Sequence, residues 1–186
     1  DTAFLAEEIQ GNLMLKGNSG FFRGLDGKVG KVESMAGLLG SFIRSSKLDA
    51  IVAFSSSLGE IPYDEMSLEM NREASKVVFL DEFLLQSPEI LLRGRGKIGY
   101  EKGLPWDEQA LKARFQMGGK GRLKDLLESV DLLDSGRIVS GYSLMRNSFE
   151  ITGTLANPDS KDLRKVLQKA AGSILEDAFS SGGGQP

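Results

Sequence analysis

The pattern of apolar and polar positions is clearest in one central stretch, residues 89–100. Read in steps of two, one face is basic and carries Arg93, Arg95 and Lys97. The other face carries apolar or small residues, namely Ile90, Leu92, Gly94, Gly96, Ile98 and Tyr100. Because successive side chains of a strand point to opposite faces of a sheet, this pattern predicts a strand with one covered apolar face and one solvated basic face.

Alternation of the same kind recurs on both sides of this stretch and predicts an antiparallel sheet. Strands are expected at residues 8–17, 61–70, 77–85, 111–117 and 149–155, and residues 18–20 are expected to form the turn that ends the first of them. Short turns between consecutive strands are typical of a meander with one covered face.

Three other segments repeat apolar residues every three or four positions, which indicates amphipathic helices. They are Asp26–Ser45, Leu123–Leu133 and Asp159–Phe179, with Asn157 as the expected cap of the third. The predicted fold class is therefore α+β, a bent antiparallel meander with about three helices packed on one face. Residues 1–179 are expected to form a single domain, and residues 180–186 a flexible tail.

The central stretch also contains Gly94-x-Gly96-x-x-Gly99, which matches the dinucleotide-binding fingerprint by letter. That fingerprint requires a helix that opens on the third glycine, whereas a turn with Pro105 follows here. We therefore expect no nucleotide site. Glycine inside a strand commonly marks a close approach to the backbone, and two neighbours are possible at Gly94 and Gly96: a helix of the same domain, or the acyl chain of an apolar ligand.

Composition narrows the chemistry that the chain can perform. The sequence has 186 residues, a net charge of −3, no Cys and no His. The acidic balance argues against a general nucleic-acid binder, and the missing residue types exclude thiolate metal sites and Ser-His triads. No catalytic residue, metal site or cofactor is predicted. No apolar run reaches the roughly 18 residues that a membrane-spanning helix needs, and the start at Asp1 suggests a mature or excised piece of a longer protein.

The basic face of the predicted sheet leaves two interpretations open. Its positive side chains are Arg93, Arg95, Lys97, Lys112 and Arg114. A solvated outer sheet face is the simpler interpretation. The functional alternative is attraction to phosphates or to anionic lipid head groups.

Three pieces of the chain together resemble the C-terminal region of AsmA-like proteins, the group that includes AsmA, TamB and YhdP relatives. The resemblance rests on Ser87-Pro-Glu-Ile-Leu-Leu-Arg-Gly-Arg-Gly-Lys-Ile98, on Phe149-Glu-Ile-Thr-Gly-Thr-Leu-Ala-Asn-Pro158, and on the helix expected after that proline. Gly20-Phe-Phe-Arg-Gly-Leu25 and the helix after it also fit, so the resemblance covers residues 9–179.

This resemblance implies a periplasmic part of an inner-membrane-anchored protein in a Gram-negative-type envelope. It implies a non-enzymatic role in phospholipid transport between the membranes or in outer-membrane assembly, with acyl chains held on the apolar sheet face. The alternative is a docking or capping module that contacts other parts of a larger envelope protein and binds no lipid. Neither the lipid nor the partner is specified. The candidate lipid-binding residues are Ile90, Leu92, Gly94, Gly96, Ile98, Phe115, Phe149 and Ile151.

Overall fold

The computed structural model describes residues 10–23 and 60–163, together with residues 165, 166, 168 and 172. These residues contain one α-helix with defined bounds, α1 (Arg122–Ser129), a 3-10 helix at Trp106–Glu108, and further helical residues from Lys161 onward. The strands are β1 (Gly11–Arg23), β2 (Glu60–Arg72), β3 (Val78–Gln86), β4 (Ile90–Ile98), β5 (Leu111–Gly119), β6 (Leu133–Val139), β7 (Tyr142–Met145), β8 (Phe149–Gly153) and β9 (Pro158–Asp159).

All pairings between these strands are antiparallel, and the order is β1-β2-β3-β4-β5-β7-β6. Two strands pair with the edge of β5 that faces away from β4. Gly118 and Gly119 pair with β7, whereas residues 113–115 pair with β8, which in turn pairs with β9. The sheet therefore divides beyond β5 into a branch formed by β6 and β7 and a branch formed by β8 and β9.

The predicted antiparallel sheet is confirmed, but the described residues show fewer helices than the three expected. Helix α1 ends at Ser129 rather than Leu133, because Asp131 adopts a positive φ of 57° that no helix continues through, and Leu133 already begins β6. The expected helix at residues 26–45 lies outside the described residues, as does the expected tail at residues 180–186.

The start of the third expected helix is displaced. Pro158 and Asp159 pair with β8 instead of opening a helix, so Asn157 is not its cap. The Asp159 carboxylate accepts a hydrogen bond from the Lys161 backbone N–H at 3.0 Å, which satisfies one of the free amide groups at the helix start. The predicted cap fails because strand pairing takes up the residues that precede the helix.

Two irregularities in the strands explain where the alternation misleads. The turn expected at residues 18–20 is a distortion within a continuous β1, in which Ser19 has a φ of 59° and the pairing skips one position. In β3 the register shifts between Leu80 and Phe83, so inward positions change from even to odd numbers. In the run of adjacent apolar residues at the start of β3, Val78 is buried whereas Phe79 faces outward and is 38% exposed.

The segment at residues 138–144 forms the tip of the hairpin between β6 and β7. Ser140 and Gly141 connect the strands with φ values of 51° and 82°. Positive φ at both central residues is the geometry of a type I′ turn, whose twist matches that of the flanking strands.

The main core lies on the inner face of the sheet. Leu123 and Leu127 of α1 and Leu163 of the C-terminal helical residues pack against it. A row of aromatic rings runs through the core across four strands. Neighbouring ring centroids lie 5.4, 5.5 and 6.0 Å apart, within the range that favours aromatic pairs, and the rings belong to Phe22, Phe83, Phe115 and Phe149.

A smaller cluster on the outer face joins the β6–β7 hairpin to the β3–β4 turn. Leu91, Tyr142 and Leu144 are buried in it, and the Tyr142 hydroxyl donates a short hydrogen bond to the Ser87 carbonyl oxygen. Burial raises the pKa of the Tyr142 hydroxyl above its ordinary value of 10.0, and the charge of Asp64 adds to the rise. The tyrosine is therefore a neutral donor that links two segments distant in the sequence.

The face assignment of β8 predicts a contrast between two adjacent substitutions. Ile151→Asp places an uncompensated carboxylate in the core, where Ile151 is 7% exposed, and should cost about 3–5 kcal/mol of unfolding free energy. Thr152→Asp, on the half-exposed opposite face, should change it by less than about 1 kcal/mol. Urea unfolding of both variants measures the difference, and equal losses would contradict the assignment.

Tyr142→Phe should lower stability at neutral pH by about 1–3 kcal/mol, because the buried Ser87 carbonyl oxygen loses its donor. The raised pKa means that the folded state holds the tyrosine proton more tightly than the unfolded state. This contribution is present below pH 10 and is lost as pH rises toward the folded-state pKa. Thermal melts should therefore fall more steeply above pH 10 for the wild type than for Tyr142→Phe, whereas parallel curves would contradict the role of Tyr142.

Candidate functional site

The structure brings all eight candidate lipid-binding residues together on the inner face of three neighbouring strands. β4 carries five of them, β5 carries Phe115, and β8 carries Phe149 and Ile151. The six that have side chains larger than glycine are buried, at 0–9% exposure. This part of the face is packed with the protein's own side chains.

The two inward glycines of β4 allow a close approach of β5 rather than of a helix or a ligand. A Cβ atom on Gly94 would overlap the ring of Phe115, and one on Gly96 would lie 2.5 Å from the Cα of Ala113. The expected trough over these glycines is therefore filled from the neighbouring strand. The Phe115 ring therefore lies over β4, where it contacts the rings of both Phe83 and Phe149.

The apolar inner face continues beyond this packed part, toward β1. Strand pairing aligns inward residues into two rows that each cross six strands, from β8 to β1. The rows are exposed at their β1 ends, where Leu13 and Leu15 are each 46% exposed. One row consists of Phe149, Phe115, Gly94, Phe83, Leu68 and Leu15, and the other of Ile151, Ala113, Gly96, Leu80, Met70 and Leu13.

The outer face of the same strands concentrates positive charge. Arg95 of β4 lies directly opposite Arg114 of β5, and Lys97 lies opposite Lys112. Like charges in directly opposed positions destabilise a sheet. Within the described strands, Glu150 of β8 offsets two of them, with its carboxylate 2.7 Å from the Arg114 guanidinium and 3.9 Å from the Lys112 ammonium group.

Beside these pairs lies an open groove of about 680 Å³, which we call the basic groove. Strands β3, β4, β5 and β6 and the residues that follow β7 supply its walls, and Asp81 and Glu82 line it on the β3 side. Gln116 of β5 and Ser148 are its uncharged polar wall residues. Five arginines line the groove, namely Arg93, Arg95, Arg114, Arg137 and Arg146.

Gln116 links the arginines of two strands. Its Oε1 accepts hydrogen bonds from the guanidinium groups of Arg93 at 3.2 Å and Arg137 at 3.3 Å, and its Nε2 donates to the Met145 carbonyl oxygen at 3.1 Å. The amide orientation is thereby fixed, because only the oxygen can face the two cations. Gln116 holds one arginine of β4 and one of β6 on the same side of the groove.

The five arginines differ in how well their charge is neutralised. Arg146 forms a bidentate pair with Asp131 at 2.5 and 2.8 Å, and Arg114 is paired with Glu150. Arg137 reaches the Asp134 carboxylate only at 4.0 Å. Within residues 60–163, Arg93 has only its bond to Gln116, and Arg95 has neither a hydrogen bond nor an ion pair.

The sequence indicated only part of this groove. Its strand pattern placed Arg93, Arg95 and Arg114 on one outer face, which is confirmed. Arg137 and Arg146 were missed because the β6–β7 hairpin was not recognised. The signal for it was Ser140-Gly141 between two apolar residues, a dipeptide that fits a two-residue hairpin turn.

No family model matches the chain, and searches of curated proteins and of solved structures return no significant match. The resemblance to AsmA-like proteins therefore stays a prediction. Among the described residues, no helix is both long and apolar enough to cross a membrane.

The contact between β4 and β5 predicts a strong effect of the smallest possible side chain. Gly94→Ala should cost about 1–3 kcal/mol, because the added methyl group displaces the Phe115 ring from the aromatic row. Gly99→Ala is the matched control, since a Cβ there meets its nearest neighbours at 3.6 and 3.7 Å, an ordinary contact distance. Urea unfolding should separate the two variants, and an unchanged Gly94→Ala would contradict the packing described.

Proposed function

We propose that this domain is a non-enzymatic module of an AsmA-like envelope protein that takes part in phospholipid transport between membranes or in outer-membrane assembly. The observation that carries the proposal is the exposure of the two apolar rows at their β1 ends, where Leu13 and Leu15 are each 46% exposed. Acyl chains bind by burial of apolar area, at about 25 cal/mol per Å². An apolar sheet face that is packed at one end and open at the other offers such area without unfolding the core.

The lipid-contacting positions under this proposal differ from the eight inward residues of β4, β5 and β8. Those eight support the sheet from inside its core, and acyl chains would lie on the β1 and β2 part of the same face. Met66, Leu68 and Met70 of β2 are only partly buried there. Methionine adapts its shape to irregular apolar partners, which suits a surface that holds flexible chains.

The alternative is a docking or capping module that binds no lipid. The observation that favours it is the packed state of the inner face from β4 to β8, where buried side chains leave no open trough. Under this alternative the uncovered end of the rows would be covered by another part of a larger envelope protein. Large apolar surface that stays exposed commonly marks an interaction site of either kind.

Charged substitutions on β1 distinguish the two functions. Leu13→Lys with Leu15→Lys should remove phospholipid that co-purifies with the domain, because two ammonium groups would interrupt the apolar rows. Met14→Lys is the control. It lies between them on the opposite face, is 57% exposed, and adds one charge without touching the rows. The readout is bound phospholipid per protein by mass spectrometry.

Retained lipid in Met14→Lys together with loss in the double variant would support lipid binding at β1. A wild-type domain that carries no phospholipid would overturn the proposal and leave the docking module. Thermal melts of all three proteins establish that any loss of lipid is not caused by unfolding.

A further inference from the structure

The positive charges in and beside the basic groove do not stabilise the sheet. The opposed pairs Arg95–Arg114 and Lys97–Lys112 are unfavourable, and the chain as a whole has a net charge of −3. The concentration of arginine is therefore a local property of this face. Such a cluster with low-dielectric walls attracts anions.

Three guanidinium groups of the groove remain available for an external anion. Arg93 and Arg95 come from β4, and Arg137 comes from β6, in the branch formed by β6 and β7. The remaining two arginines already have carboxylate partners at 2.8 Å or less. Each of these two carboxylates lies close to one arginine, and Asp131 contacts Arg146 through both of its oxygens.

A phosphate group fits the three available arginines better than a carboxylate does. A carboxylate has two coplanar oxygens, which one guanidinium fork satisfies, whereas the oxygens of a phosphate point in several directions and accept from donors on different sides. We propose that the basic groove binds a phosphate-bearing ligand through Arg93, Arg95 and Arg137, with Gln116 positioning the first and the last. This proposal does not depend on the apolar face of β1 and β2.

The groove also limits what the ligand can be. A volume of about 680 Å³ has room for a phosphate ester as well as for inorganic phosphate. Asp81 and Glu82 line the β3 side and repel a dense polyanion from that wall. Two sources supply this chemistry: a soluble phosphate ester, or the head group of a phospholipid.

Binding is measured with two probes on the same purified chain. Glycerol 1-phosphate is titrated by calorimetry, and vesicles of phosphatidylglycerol are compared with vesicles of phosphatidylcholine by co-sedimentation. Arg93→Gln and Arg95→Gln should each weaken binding of the recognised probe about fivefold. Arg122→Gln is the matched control, because it removes the same charge from an exposed position at the start of α1, outside the groove.

Two further variants test the sign of the charge effect. Asp81→Asn should strengthen binding, because it removes a repelling carboxylate from the groove wall. Gln116→Glu should abolish binding while raising Tm, since the new carboxylate would pair internally with Arg93 and Arg137. A residue that only supported the fold would not weaken binding while increasing stability.

Each outcome decides the proposal. Binding of glycerol 1-phosphate alone supports a soluble ester, and selective binding of phosphatidylglycerol vesicles supports a head group. No binding of either probe overturns the proposal, as does an equal loss in Arg122→Gln and Arg95→Gln, which would indicate net charge only. Competition by poly-glutamate at the affinity of glycerol 1-phosphate would also overturn it and indicate an acidic protein partner. Co-purified lipid with unaffected groove variants would refute this site alone and leave the proposed function standing.

Discussion

The close approach of β4 and β5 at Gly94 and Gly96 is the contact on which the rest of the structure depends. Because Gly94 and Gly96 have no side chains, the ring of Phe115 crosses over β4 and joins the aromatic row. Glycine in a strand normally costs stability. Here the cost is offset by burial of aromatic rings, each of which removes about 150–250 Å² from water.

The same pair of strands also fixes what the outer face presents. Strand alternation leaves no freedom: once apolar and glycine positions point inward, the arginines and lysines between them must point outward. The register of β4 on β5 then sets like charges opposite each other. The packed core and the basic groove are therefore two consequences of one register, and a slip by a single residue would destroy both.

Much of this arrangement could be predicted from the sequence, and the exceptions have definite causes. The faces of β4, β5 and β8 followed from alternation alone, because these strands are regular. Alternation failed in β1, where Ser19 interrupts the pairing with β2, and in β3, where the register shifts after Leu80. The filling of the Gly94 space could not be predicted, since the sequence shows the missing side chain but not which neighbour enters its place. The basic groove could not be predicted because it depends on which strands pair with each other. That pairing is set by contacts between residues far apart in the chain.

The division of the sheet beyond β5 has a mechanical consequence. The hairpin of β6 and β7 is attached to β5 through only two residue pairs, Gly118–Leu144 and Gly119–Ser143, whereas β4 is attached to β5 through nine. Arg137 stands on this hairpin and Arg95 on β4. Leu133 and Met145 of the hairpin lie in the main core, and the Tyr142 hydroxyl donates to the Ser87 carbonyl oxygen. The distance across the groove is therefore set mainly by side-chain packing rather than by backbone pairing, so a substitution in the core can alter the groove without touching any of its arginines.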